Sequence, residues 1–280
     1  MIIWIASYPK SGNTYLRSFL TSYYYTKDGK FDFKLLDNIK TFPGIHYSRY
    51  RSDSKIEASR NWIINQNYFF DKSKFNFLKT HNTMSPFEGN TFTTKDQTIG
   101  AIYIYRDPRN IITSLKNHYS MNYLDAFNFM KDDKKAIFQD SHDNDKSNFT
   151  YLSSWSNHYK SWFKIDDFKI IFIKYEDLQN QKFELFQKIV KFINNLSGNN
   201  EKLNEDKLMQ SIKSTNFSVL KNNERNQGFA EAARSKITGK KINFFNLGFN
   251  NRWKKILPSD FQIKLNNHFQ DDLNFLKYTK

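Results

Sequence analysis

Four short apolar runs constrain the fold of this chain: IIWIAS (2–7), FNFLKT (75–80), IGAIYIYR (99–106) and FKIIFIKY (168–175). They are rich in β-branched and aromatic residues. None alternates apolar with polar residues as a strand with one wet face does. They read as strands buried on both sides, the pattern of a parallel sheet. Helical spacing fills the intervals. Leu16, Phe19, Leu20 and Tyr23 recur at three and four residues, as do Phe186, Ile189, Val190 and Ile193, while Phe261, Leu265, Phe269 and Leu273 fall four apart. Strands alternating with helices predict an α/β fold, a parallel sheet flanked by helices. At 280 residues the chain is long enough to bury one such core. KDDKKAIFQDSHDNDKSN (131–148) and NNLSGNNEKLNED (194–206) read as solvated insertions. Neither shows the composition shift of a domain boundary, so a single domain spanning 1–280 is expected.

Ligands of open parallel sheets bind beyond the carboxyl ends of the strands. The first strand delivers Lys10, Ser11, Gly12, Asn13 and Thr14 to the start of a helix. Unpaired N–H groups and the helix dipole favour an anion there, and Gly12 admits close backbone approach. Ser11 and Thr14 add hydroxyl donors and Lys10 a point charge. The same residues also fit an ordinary capped turn with Lys10 in solvent. The second strand delivers Lys79, Thr80 and His81. His81 has the residue type of a general base, or of a structural imidazole. The third delivers Arg106, followed by Asp107 and Pro108, a plausible N-cap and first helical residue. The Arg106 fork suits a phosphate or a neighbouring carboxylate. The fourth delivers Tyr175, Glu176 and Asp177, which fit adenosine contacts or a helix cap. The cap is the favoured reading for the two acids.

Absences narrow the chemistry. No cysteine occurs, which excludes disulfides, thiolate metal sites and cysteine nucleophiles. No Walker A loop, GxGxxG, kinase signature or metal-ligand spacing is present. An anion site must work with cations and hydrogen bonds, with no metal. The formal charge is +15. That fits an anionic partner such as nucleic acid, polysaccharide, a membrane surface or a phosphorylated cofactor. It equally fits a Lys- and Asn-rich composition that maintains solubility, because no long basic run occurs. The apolar start MIIWIAS lacks a basic flank and is too short for a signal segment, and no window reaches the length of a membrane span. A soluble, cytoplasmic chain is expected.

Six segments, in order, resemble the PAPS-dependent sulfotransferases, including bacterial-type members. YPKSGNTYLR (8–17) resembles their 5′-phosphosulfate loop, FLKTHN (77–82) their catalytic-His segment, and YIYRDPRNIITSLKNHY (103–119) their 3′-phosphate segment. SSWSNHYKSW (153–162), IKYEDL (173–178) and STNFSVLKNN (214–223) are similar to further family segments. The resemblance implies a P-loop-like central parallel sheet and sulfuryl transfer from 3′-phosphoadenosine 5′-phosphosulfate (PAPS) by in-line displacement, with adenosine 3′,5′-bisphosphate (PAP) as product. It implies that Lys10 stabilises the leaving phosphate while Ser11, Gly12, Asn13 and Thr14 hold it. His81 would be the base, assisted by Lys79. Arg106 and Ser114 would bind the 3′-phosphate. Tyr15 would stack on adenine, with Tyr175, Thr215 and Phe217 against the adenosine.

FFNLGFNNRWKK (244–255) departs from the family's Arg-Lys-Gly clamp: Asn246 and Leu247 replace the cations, and Gly248 remains as a cofactor-binding position. Either Arg225, Arg234, Lys240 or Lys241 supplies the charge, or the phosphate is held more weakly. The aromatics Tyr119, Tyr123, Phe127, Phe129, Tyr151 and Trp155 fall where the family binds acceptors, and fit a core equally well. A small-molecule or carbohydrate hydroxyl or amine acceptor is expected, and no nucleic acid. A P-loop kinase-like enzyme and a non-catalytic polyanion binder are the competing readings.

Overall fold

Strand β1 (Ile2–Ser7) runs through the middle of the protein and feeds helix α1 (Asn13–Tyr25). Helix α2 (Lys55–Phe69) then leads to β2 (Asn76–Thr80) and β3 (Thr98–Tyr105), and α3 (Pro108–Tyr119) and α4 (Tyr123–Lys131) follow. A two-residue pair, β4 (Ala136–Ile137) and β5 (Thr150–Tyr151), precedes α5 (Trp155–Phe163) and β6 (Lys169–Lys174). Seven helices and one 3₁₀ turn (Gly248–Asn250) complete the described chain: α6 (Asp177–Asn180), α7 (Lys182–Ser197), α8 (Glu205–Ser214), α9 (Phe217–Gln227), α10 (Trp253–Ile256), α11 (Ser259–His268) and α12 (Gln270–Phe275). This computed structural model describes residues 1–138, 144–198, 202–235 and 239–278.

The four apolar runs form one sheet in the order β2-β1-β3-β6, every neighbouring pair parallel. Register places the strand ends side by side. Ala6 pairs with Thr80, Ser7 with Ile104, and Tyr105 with Lys174. The chain therefore leaves all four strands at one edge, with β1 at the point where the connections diverge to either side.

Both faces of the sheet are covered, as the unbroken apolar runs predict. Ile2, Trp4 and Ala6 pack on one side with Trp62, Phe92 and Trp162. Ile3 and Ile5 pack on the other with Leu16, Phe19 and Phe186. The two-residue period of a strand sends alternate side chains to opposite faces. Phe19 stacks on Phe186 with ring centroids 3.7 Å apart, which locks α1 to α7. Burying one such ring contributes about 1.5–3 kcal/mol.

Asp107 caps α3 by accepting from the Arg109 amide at 2.9 Å, with Pro108 in the first turn. The Arg109 guanidinium adds a buried ion pair to Asp107 at 2.7 Å and lies 4.1 Å from the Trp253 ring. Three expectations need correction. The 131–148 stretch is not wholly a solvated insertion: β4 pairs with β5, and Ile137 and Phe138 reach the central cavity. Residues 139–143 of that stretch lie outside the described residues. In 194–206, α7 continues through Ser197 until Gly198 ends it at φ 65°, the left-handed conformation glycine adopts at low cost; residues 199–201 lie outside the described residues. The C-terminal repeat is two helices rather than one, because Phe269 leaves helical geometry at φ −101°, ψ 17°. Its apolar residues still share one core.

Candidate active site

A cavity of about 810 Å³ opens at the carboxyl edge of the sheet. Of the residues to which the resemblance gives a catalytic or donor-binding role, all but Ser11 and Thr215 line it. Its cations are Lys10, Lys79 and Arg106, each from a different strand exit. No His, Asp and Glu grouping fit for a metal ion occurs among the described residues, and no described helix is long and apolar enough to cross a membrane.

The loop before α1 is held in an unusual backbone shape. Lys10 has φ 69° and Gly12 φ 106°. A Cβ on Gly12 would run into the Tyr175 ring, so only glycine fits between this loop and β6's exit. Arg106 bridges the Lys10 carbonyl and the Gly248 carbonyl, each at 3.2 Å, and its guanidinium lies 4.2 Å from the Tyr175 ring. Among the described residues it pairs with no carboxylate. The Asn13 side chain turns inward. Its amide donates to the Ile5 carbonyl at 2.9 Å and to Ser7 Oγ at 3.2 Å, so it shapes the turn instead of offering that donor to a ligand.

His81 is fixed in one tautomer. Its Nδ1 lies 2.7 Å from the Ser7 carbonyl, which only accepts, so Nδ1 carries the proton. Nε2 is left with its lone pair. Burial, reinforced by the Lys79 charge, holds the imidazole well below the usual histidine pKa, and hence neutral. The sequence reading gave no role to the residues that hold His81. His158 Nε2 donates to the His81 carbonyl at 3.0 Å, and the Trp162 indole donates to the Asn82 carbonyl at 3.0 Å. His158 and Trp162 stand four apart on α5, one face of one helix. That spacing inside SSWSNHYKSW was the available signal.

Lys10 lies with its ammonium 3.9 Å from the Phe244 ring. Desolvation lowers its pKa to about 7; Glu231 opposes that shift, while Lys79 and Arg106 add to it. Lys79 shifts in the same direction for the same first reason. An anion prefers the ammonium form. Affinity for sulfate, whose own charge does not change in this range, should therefore be flat below pH 7 and fall above it, by up to about tenfold per pH unit for one linked proton. Calorimetry at pH 8 in two buffers of different ionisation heat would read the matching proton uptake. Affinity that does not change between pH 6 and 9 would refute the linkage.

Glu231 was missed. Its carboxylate accepts from Thr14 Oγ1 at 2.8 Å and from Arg17 Nη1 at 2.6 Å, and lies 3.7 Å from Lys79 Nζ. These cations keep it ionised, far below the ordinary carboxylate range, against the penalty of burial. No periodicity marks it in the sequence, because it sits on an irregular turn closed by the Ala232 amide on the Phe229 carbonyl at 3.2 Å.

At the far end of the cavity, Tyr15, Tyr175 and Phe217 stand around a fourth ring, Phe249. It stacks on Tyr175 at 5.0 Å, meets Tyr15 edge-on at 6.0 Å and lies 6.4 Å from Phe217. Thr215 is fully buried, its hydroxyl donating to the Ser211 carbonyl at 2.6 Å. Ser114 lines the cavity and accepts from Asn251 at 3.2 Å. Asn246, Leu247 and Gly248 also line it, whereas Arg225, Arg234, Lys240 and Lys241 do not. Of the aromatics weighed for the acceptor region, Tyr119 reaches the cavity; Phe127, Phe129 and Trp155 are core, with Tyr123 and Tyr151 packed against it. Glu176 makes no capping bond. It accepts instead from the Asp107 amide at 3.3 Å and the Tyr278 hydroxyl at 3.0 Å.

The same shape occurs in known proteins. A mouse sulfotransferase, SULT7A1, solved with PAP, superposes with a TM-score of 0.59 at 19% identity, over 97% of this chain and 84% of that one. Retinol dehydratase, solved with androsterone and PAP, gives 0.59 at 17% identity, over 97% and 80%. Luciferin sulfotransferase of Photinus pyralis is 23% identical over 227 residues, 78% of this chain. The chain spans 56% of that relative's length. The sulfotransferase domain model matches residues 2–277, all four strands and every cavity element included. On that match the chain belongs to the sulfotransferase domain family.

Proposed function

We propose that this protein transfers a sulfuryl group from PAPS to a hydroxyl or amine of a small-molecule or carbohydrate acceptor. The observation that carries the reading is the convergence of Lys10, Lys79, His81 and Arg106 from three strand exits on one cavity. The donor's groups fit what lies there. Among the described residues, Arg106 Nε, at the proposed 3′-phosphate site, is buried without a hydrogen-bond partner, as is Ser11 Oγ, which belongs to the phosphosulfate loop but does not line the cavity. Unpartnered buried donors cost free energy unless a ligand satisfies them. The first amides of α1 have no partner within the helix and suit a phosphate.

PAPS, when bound, supplies the sulfuryl group and a phosphate leaving group. The chain supplies position and charge. His81 Nε2 takes the acceptor's proton as its oxygen or nitrogen attacks sulfur. Lys10 neutralises charge that develops on the departing phosphate, and Lys79 supports the transferring group. Arg106 and Ser114 hold the 3′-phosphate, with Tyr15, Tyr175 and Phe217 around the adenosine. Such a loose displacement needs alignment and preorganised cations more than covalent chemistry.

Calorimetry with PAP and, separately, ATP with magnesium tests the donor. PAP should bind without metal, and Arg106→Ala should weaken it about ten- to a hundredfold, the worth of charged hydrogen bonds. Preference for magnesium ATP would favour a kinase-like enzyme. Failure of both, with steeply salt-dependent binding of a sulfated polysaccharide, would favour a polyanion binder.

A further inference from the structure

The donor reading meets a conflict at Thr14. A threonine hydroxyl has one proton to donate. Here that proton goes to Glu231 Oε2 at 2.8 Å, so Thr14 cannot also donate to a phosphate. Lys79, proposed to face the sulfuryl group, likewise lies against Glu231 Oε1 at 3.7 Å. Arg17 adds the third contact, 2.6 Å, from a side chain only 5% exposed.

A carboxylate surrounded by one hydroxyl and two cations copies the surroundings of a sulfate or phosphate oxygen pair. Glu231 faces the cavity with Ala230 and remains 28% exposed, unlike a wholly interior strut. The ring of Phe229 anchors its turn, 4.6 Å from Phe33 and 5.0 Å from Phe244. The turn follows Gly228, which has φ 80°. A retreat of the carboxylate alone would leave the buried Arg17 charge with only the Leu36 and Ile39 carbonyls, at 3.1 and 2.8 Å, and no counter-charge, which is costly. Exchange for an incoming anion would not.

Resting on the donor reading above, we propose that Glu231 is an internal stand-in for the donor's anionic end. On donor binding its carboxylate is displaced from Thr14, Arg17 and Lys79, which then hold donor oxygens. Arg17 thereby becomes a donor-binding residue. The free protein keeps its cations paired, and its affinity for the donor is reduced by the fraction of molecules in which Glu231 is seated.

The test compares wild type with Glu231→Gln, whose melting curve is recorded first. Calorimetry with PAP is run alongside thermal-shift titration with inorganic sulfate. E231Q should bind PAP at least about tenfold more tightly, because a competing charge has gone. It should also gain protection by sulfate. If PAP binds wild type and E231Q binds it equally or more weakly, Glu231 is a strut, the proposal falls and the donor reading survives. If neither protein binds PAP while E231Q gains on sulfate, the stand-in role survives and the donor reading falls. Should E231Q not fold, hydrogen exchange on wild type decides. PAP should speed exchange at the amides of 228–232 while slowing those of 11–15; slowing at both would overturn the displacement.

Discussion

Turnover of the His81→Ala variant should fall by about 10²–10⁴, the usual worth of a positioned general base, while its affinity for PAP stays at the wild-type level. Steady-state sulfuryl transfer and PAP calorimetry on the same preparation check both halves. The basis is the tautomer. The Ser7 carbonyl at 2.7 Å fixes the proton on Nδ1, and so Nε2 accepts. Burial and the Lys79 charge hold the ring neutral. A base whose pKa is lowered is lost only at acidity well beyond the ordinary histidine range. The acid limb of kcat/KM should therefore lie clearly below pH 6.5. An acid limb at or above the ordinary histidine value would mean that another group takes the proton. PAP affinity lost together with turnover in His81→Ala would mark His81 as structural, a prop for the Ser7 turn.

The sheet and the cation cluster were legible because each rests on a local rule. Four buried runs forced a parallel sheet, and a parallel sheet exposes its ligands at one edge. Lys10, Lys79, His81 and Arg106 could be found there without any knowledge of the tertiary fold. What escaped depends on contacts between distant residues. Glu231 meets Thr14 across 217 positions, and Arg17 across 214. The direction of the Asn13 side chain was hidden for a related reason. Its amide is as good a donor to a ligand as to the chain, and only the folded turn reveals that the Ile5 carbonyl claims it. Thr215 repeats the lesson, with its hydroxyl turned back to Ser211. Phe249 follows a glycine in an irregular segment, with no period to mark it.

Lys10→Ala should cost both steps at once, turnover by about 10²–10³, as for loss of one preorganised donor, together with PAP affinity. Two features of Lys10 have different consequences. Its backbone carbonyl, held at φ 69°, accepts from Arg106, and alanine, which carries the same Cβ, keeps that contact. Its ammonium, stacked at 3.9 Å on Phe244, is the charge nearest the phosphosulfate loop. Lys10→Arg separates these contributions. The charge is kept, but the compact ammonium becomes a wide planar fork in a cavity that Arg106 also lines. If charge alone matters, Lys10→Arg should recover most of the PAP affinity that alanine loses. If the ammonium must also sit at one point to meet the departing phosphate, Lys10→Arg should recover affinity but not turnover. The second outcome is expected, because transition-state stabilisation depends on where the charge sits and ground-state binding depends mainly on its presence. Near-normal turnover in Lys10→Ala would remove Lys10 from the mechanism and leave Lys79 as the cation that meets the transferring group.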